Sequence, residues 1–319
     1  MTGALVSMRN VSVAFGPASQ PVRAVNRIDL EIAPAQIVGL VGESGSGKTT
    51  LCNALMRGLH SAARLEGSIA FAGRDLYSLS AAELRRLRLS DMTMILQNPM
   101  TALDPMFTIG DQLRELIGER GVSGKRDIAG LALAALKRVH LSAPAMRLKQ
   151  YPHELSGGMK QRVLIAMATA SKPRLLIADE PTSALDASIQ DEILFLLREA
   201  RDRDGTAVLI VSHDLGAIRR VSDRTVVMYA GRIVEDGPTD QIFREPRHPY
   251  TRALLDSLPR IEGDEVTMKA IGGQIPKLDS LPAGCAFADR CPMATPQCLA
   301  ESPPERVTGQ NRTFCWEAR

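Results

Sequence analysis

The sequence predicts an α/β fold in which a parallel core sheet carries an antiparallel β-layer and a helical insertion, with a small cysteine-rich segment behind. Three observations predict it. The glycine-rich run Gly42-Glu43-Ser44-Gly45-Ser46-Gly47-Lys48-Thr49 joins an apolar stretch, Ile37 to Val41, to a helix-like one, Thr50 to Leu59. Two further apolar runs, Arg174 to Ala178 and Thr206 to Val211, end respectively in Asp179-Glu180 and in Ser212-His213-Asp214. Val11 to Phe15 and Ile28 to Ile32 instead alternate apolar and polar residues, the signature of half-buried antiparallel strands.

Taken in order, Phe15 closes the first alternating strand directly before Gly16. It can serve as core or as a ring that stacks on a base, and the pattern alone leaves both open. In the spacing G-x-x-x-x-G-K-T that follows, glycines tolerate positive φ, and successive N–H groups at a helix N-terminus face an anion. Lys48 then reaches the β- and γ-phosphates of a nucleotide, and the Thr49 hydroxyl ligates Mg²⁺.

Gly67 to Phe71 reads as a short strand, Ala81 to Leu89 as a basic helix, and Met92 to Gln97 as an apolar strand ending in an amide. Ile109 to Glu119 and Ile128 to Val139 repeat apolar residues at helical spacing on either side of the Gly121 to Gly124 turn, so residues 98–170 form the helical insertion. Ser156-Gly157-Gly158-Met159 precedes a helix from Lys160 to Ala170. That pattern fits an ordinary N-cap as well as a second anion site. Asp179 and Glu180 lie at the carboxyl end of a buried strand, where a doubly wound sheet places its ligands. Asp179 can hold Mg²⁺, and Glu180 can polarise an attacking water. His213 lands on the same edge, either satisfied locally or touching the γ-phosphate.

The 319 residues predict about two domains, and 45% hydrophobic content supports a globular chain. Thirty-nine basic residues against 36 acidic ones are interspersed, and aromatics make up only 4%. There is little to stack on bases, so nucleic acid is not an expected partner. No apolar run reaches bilayer length, and Met1 to Phe15 lacks the regions of a signal peptide, so the chain is expected to stay in the cytoplasm. Disulfides are then not expected among its five cysteines.

These stations in this order resemble the nucleotide-binding subunit of ATP-binding cassette (ABC) transporters, over most of the chain. The resemblance implies a phosphate-loop NTPase cassette. In it Gly42 to Thr49, with Thr50, is the Walker A loop, Phe15 the adenine-stacking aromatic and Gln97 the Q-loop glutamine, a further Mg²⁺ contact. Leu155 to Met159 become the signature, with Ser156, Gly157, Gly158 and Met159 acting on a partner's ATP. Asp179 and Glu180 are the Walker B pair, Ser183-Ala184-Leu185-Asp186 the D-loop, and His213 the switch histidine. Gln97 to Pro105, Tyr151 to Met159, His248 to Leu255 and the cysteine-rich tail are similar to the dipeptide, oligopeptide and nickel importer branch, where Met commonly replaces the last Gln of the signature. One departure is Ala35-Gln36, where the family usually has Gly-Glu.

The resemblance further implies an ATPase that powers import of peptides, or else of nickel or another small solute, at the cytoplasmic face of the bacterial inner membrane. Its expected partners are a second, nonidentical cassette, two transmembrane permeases and a periplasmic solute-binding protein. A soluble, non-transport ATPase of the same kind typically carries two cassettes or a long coiled coil, and neither occurs here.

The cassette is expected over residues 1–258 and the small C-terminal domain over 259–319. Within the latter, Cys285, Cys291, Cys298 and Cys315 crowd one short stretch poor in large apolar residues, which suggests a tetrathiolate site; Cys52 is expected in the core. Some members of the branch carry a [4Fe-4S] cluster in the tail, which is the first expectation. Zn²⁺ comes second, because no close C-x₂₋₄-C pair is present. Four unliganded thiols are the third.

Overall fold

The computed structural model describes residues 3–17, 19–96, 102–119, 124–183, 185–258, 260–262, 265–267 and 269–318. The chain divides into two compact units. One holds residues 1–32, 38–77 and 212–319, and the other holds 33–37 and 78–211.

In the first unit the alternating segments form an antiparallel layer. Val6–Phe15 lies between Val22–Ile32 and Arg64–Phe71, with Arg74–Asp75 at the edge. The register pairs Val6 with Ile32 and Met8 with Leu30, so one face buries Val6, Met8, Leu30 and Ile32 at 0–1% exposure. A shift of one residue turns that apolar row to water, so the alternation itself fixes the pairing.

The second sheet of this unit contains Ile37–Val41, all five residues buried, parallel to Arg224–Tyr229. Arg232–Pro238 returns antiparallel against Arg224–Tyr229. Continuous apolar runs without alternation are what a strand covered on both faces requires. The helix Lys48–Leu55 follows the phosphate loop, and Cys52 is fully buried on it.

The tail carries secondary structure that its composition does not announce. Two short strands, Glu305–Thr308 and Asn311–Phe314, make a hairpin, and Asn311–Phe314 pairs with Arg232–Pro238 through Glu235↔Thr313 and Asp236↔Arg312. Two buried acids mark that seam. Asp236 is held in a fork by the Arg224 guanidinium at 2.6 and 2.5 Å and is met by Arg312 from the other side. Glu235, at 0% exposure, accepts the backbone N–H groups of Arg247 and His248 at 2.8 and 3.0 Å and the Asn311 amide at 3.2 Å. Removing one partner of such a buried charge costs about 3–5 kcal/mol, because the remaining charge is stranded away from water.

His248 begins the helix Pro249–Asp256 and accepts the Tyr250 N–H through Nδ1 at 3.0 Å. Burial favours its neutral form and pushes its pKa down to about 3. The unfolded chain takes up a proton near pH 6.5 whereas the folded one refuses it until about 3, so stability is full above 6.5 and falls as pH drops through that window. Urea unfolding is expected to show about 1.4 kcal/mol less stability at pH 5.5 than at pH 7.5 from this group. His248→Gln should flatten that slope, and an unchanged slope in the variant would exclude the assignment.

In the second unit Met92–Ile95, Leu175–Asp179 and Ala207–Ser212 run parallel, with Leu175–Asp179 in the middle. The helices Ile109–Glu119, Lys125–Arg138 and Gly157–Thr169 form the insertion. Ile109, Leu113 and Ile117 sit on its buried face at the expected four-residue spacing. Ala35 has φ +54 in the turn before the first core strand. A left-handed backbone costs a non-glycine residue roughly 1–2 kcal/mol, which explains why glycine is usual there and why alanine is tolerated with strain.

Candidate functional site

The phosphate loop belongs to the first unit, and its backbone admits little variation. At Gly47, φ is +99 and an added Cβ would lie 2.3 Å from the Ala24 carbonyl oxygen, so the turn requires glycine. Ser46 is fully buried and its carbonyl accepts the Gly231 N–H at 3.0 Å, which ties the loop to the turn between two core strands. Lys48 is 6% exposed. Its Nζ turns back onto the loop, donating to the carbonyls of Gly42 and Glu43 at 2.7 and 2.9 Å and to Ser46 Oγ at 3.3 Å. Ser44, Gly45 and Thr49 are exposed. Phe15 is half-buried at its strand end, before a turn with Gly16 at φ +83. His213 is exposed between the strand Ala207–Ser212 and the helix Leu215–Val221, which Asp214 caps by accepting the Ala217 N–H at 3.0 Å.

Two residues that sequence reasoning gave no site role hold the loop from outside. The Tyr250 hydroxyl accepts the Glu43 N–H at 2.9 Å, and burial raises that phenol's pKa well above the usual range, so it stays protonated. The Arg290 guanidinium forks onto the Glu43 carboxylate at 2.9 and 3.1 Å. Tyr229, Tyr250 and Phe287 pack around them with ring centroids 4.6–5.3 Å apart. Arg290 is 247 positions from Glu43, and no local pattern points from one to the other.

In the second unit the structure brings the signature and the D-loop segment together. Ser156 caps the helix Gly157–Thr169, its hydroxyl accepting the Met159 N–H at 3.4 Å. Ser156 and Gly157 are exposed, whereas Gly158 is buried so tightly that a Cβ would lie 2.9 Å from Ile189 on the helix that Asp186 begins. Asp179 is 2% exposed at the end of its strand. Glu180 follows with φ +48, its N–H bonded to the Val211 carbonyl at 2.9 Å and its own carbonyl taken by Ser183 N and Oγ at 3.2 and 3.0 Å. A non-glycine residue there is strained and is kept only because neighbours fix it from both sides. Gln97 and Ala184 lie outside the described residues.

The ABC transporter family matches residues 25–183, and the oligopeptide/dipeptide transporter C-terminal region matches residues 234–298. The chain is 42% identical over 315 residues to the oligopeptide transport ATP-binding protein OppD of Haemophilus influenzae, covering 98% of this chain and 97% of that one. The chain belongs to the ABC transporter family. Among solved structures it is similar to the dimeric post-hydrolysis state of the ATP-binding cassette MJ0796 bound to ADP and Pi, with TM-score 0.66 and 26% identity, covering 73% of this chain and 98% of that one. It is equally similar to cbiO1 of Clostridium perfringens, part of the ABC transporter complex cbiONQ, with TM-score 0.66 and 26% identity over 76% of this chain and 91% of that one. The ABC cassette fold and ATP hydrolysis follow from this membership. The chemistry of the Walker residues fits Mg²⁺, since a threonine hydroxyl and a carboxylate are the hard oxygen donors that the ion prefers. Among the described residues no helix is long and apolar enough to cross a membrane.

In the tail, Cys285, Cys291, Cys298 and Cys315 line one small cavity together with His248, Phe287 and Trp316. Burial, and then the neighbouring thiols, push Cys315 up to about 11; burial also raises Cys285 and Cys291. Among the described residues no three His, Cys, Asp or Glu side chains are grouped closely enough to hold a single metal ion. That finding lends no support to the expected [4Fe-4S] cluster or to a Zn²⁺ site.

Proposed function

We propose that this ABC ATPase is the energy-supplying subunit of a peptide importer, docked on the inner face of a bacterial membrane against two permease subunits and fed by a solute-binding protein. The observation that carries it is the joint match of a cassette and an oligopeptide/dipeptide-type tail in one chain, along with near full-length similarity to an oligopeptide transport ATP-binding protein. The cassette extends over about 1–258 and the tail over 259–319.

Phe15 stacks on adenine, and residues 42–50 wrap the phosphates with Lys48 turned outward from its present carbonyl partners. Thr49 would ligate Mg²⁺, which would supply charge neutralisation on the transferring phosphate. Asp179 would hold the same ion, directly or through water. Glu180 takes the proton of the attacking water, and His213 contacts the γ-phosphate. Gln97 senses the ion and the permease contact. Ser156, Gly157, Gly158 and Met159 act as the signature on the ATP of a partner cassette, a nonidentical one, and Asp186 lies at the seam. The exposure of Ser156 and Gly157 supports that role, because it leaves them accessible to a ligand carried by another subunit.

Affinity purification from native membranes under mild detergent tests the reading. Two polytopic membrane proteins and a second cassette should copurify, and peptide-loaded binding protein should stimulate ATPase activity. Recovery of ribosomes or DNA in their place would overturn it.

The cysteine tail is proposed to hold a [4Fe-4S] cluster, supported by four thiols around one cavity. Anaerobically purified protein should be brown with about four iron and four sulfide per chain. Colourless protein with stoichiometric zinc, or with four freely alkylated thiols, would exclude the cluster.

A further inference from the structure

The phosphate loop carries an acid of its own. A carboxylate inside a loop built to receive a polyphosphate opposes its ligand, and Glu43 is such a residue: its carbonyl lies 2.9 Å from Nζ of Lys48, the side chain that meets the phosphates. The family motif leaves this second position open, so nothing in the loop itself says why an acid is tolerable there.

The answer comes from the tail. The Arg290 side chain is 4% exposed and forks onto both carboxylate oxygens of Glu43. Its remaining donors are also engaged. Nε donates to the Gly272 carbonyl at 2.8 Å, and one terminal nitrogen also reaches the Tyr229 hydroxyl at 3.2 Å. The guanidinium carbon lies 5.7 Å from the centroids of both the Tyr229 and the Phe287 rings. A planar fork held by a carboxylate, a carbonyl, a hydroxyl and two aromatic rings is a preorganised charge, unlike a surface lysine that swings in solvent.

We propose that Arg290 is the built-in counter-charge of the phosphate loop. It is a positioning residue that cancels the repulsion between Glu43 and the bound nucleotide, and so sets ATP affinity from the C-terminal tail. The backbone geometry points the same way. Glu43 is gripped at three points, its N–H by Tyr250, its carbonyl by Lys48 and its side chain by Arg290. When Lys48 leaves that carbonyl for the phosphates, the other two contacts keep the loop in shape. Preorganisation of this kind places the ordering cost in folding rather than in binding.

The proposal rests on nucleotide binding by the cassette and separates from it in the experiment. MgATP affinity of the full-length chain is measured by titration at low and at high salt for the wild type, Arg290→Gln, Glu43→Gln and the double variant. Arg290→Gln, which leaves the carboxylate uncompensated, should bind about tenfold more weakly, with the loss shrinking at high salt because the repulsion is screened. Glu43→Gln frees the guanidinium charge to act on the phosphates and should bind about threefold more tightly. The double variant should return to within about threefold of the wild type, an outcome that loss of packing alone cannot produce. In the assembled transporter the Arg290→Gln effect should appear in KM rather than in kcat. Wild-type affinity in Arg290→Gln, or a double variant as weak as Arg290→Gln, would overturn the proposal while leaving the ATPase assignment intact. If Arg290→Gln does not fold, Glu43→Gln decides alone, since binding equal to or weaker than wild type contradicts a counter-charge. A wild-type chain that binds no MgATP would overturn this proposal and the nucleotide-binding assignment together.

Discussion

Glu180→Gln is expected to bind MgATP as the wild type does and to hydrolyse it about 10²–10⁴-fold more slowly, the range lost with a general base. The substitution keeps size and hydrogen-bonding shape, so the strained backbone at φ +48, fixed by Val211 on one side and Ser183 on the other, has no reason to relax. What disappears is the proposed proton acceptor. The measurement is ATP turnover in a reconstituted transporter whose partner cassette has its own acid replaced, so that residual activity cannot come from the other site. Turnover near that of the wild type would remove Glu180 from its proposed role.

Lys48→Ala is expected to fail at the earlier step. Its ammonium group makes three hydrogen bonds inside the loop and is the cation proposed to meet the phosphates. A hydrogen bond to a charged group is worth about 1.5–3 kcal/mol, and 1.4 kcal/mol is tenfold in affinity, so losing the phosphate contacts should weaken MgATP binding by about 10²-fold. Titration calorimetry on the full-length chain separates the two variants, because Glu180→Gln should give a normal isotherm and Lys48→Ala an almost flat one at the same concentrations. Equal affinities would refute the division of labour between loop and strand end.

Those two residues stood out in the sequence because each lies where local spacing and a single strand or helix end determine its surroundings. The glycine spacing around Lys48 and the apolar run ending at Glu180 are short-range patterns, and the structure contains the strands and the helix they imply. The antiparallel layer was legible for the same reason: Val11–Phe15 and Ile28–Ile32 alternate, and each lies within a longer strand of the observed pair. The helices Ile109–Glu119 and Lys125–Arg138 were likewise written in apolar periodicity.

Other parts could not be read. The grip of Arg290 on Glu43 spans 247 positions, and nothing in an Arg-Cys dipeptide names a distant glutamate. Tyr250 was visible only as part of a stretch resembling importers, without the hydrogen bond that gives its hydroxyl a task. The tail hairpin escaped notice because Glu305–Thr308 is exposed throughout and shows no apolar alternation. Its pairing is dictated by the open edge of Arg232–Pro238 and by the buried acids there, which is information held elsewhere in the chain.

That late pairing has a bearing on biogenesis. Glu235 and the amide of Asn311 are 76 residues apart, and a ribosome adding ~5–20 residues per second needs about 4–15 seconds to bridge that interval. Throughout it the nascent Arg232–Pro238 strand shows an unpaired backbone edge, Asp236 has Arg224 but not yet Arg312, and Glu235 lacks the Asn311 amide. An interrupted or proteolytically clipped polypeptide lacking the last hairpin stays in that condition permanently, with the kind of bare rim that recruits strands from other molecules. Quality control therefore has a chemically distinct target in any copy whose Asn311–Phe314 strand has not docked.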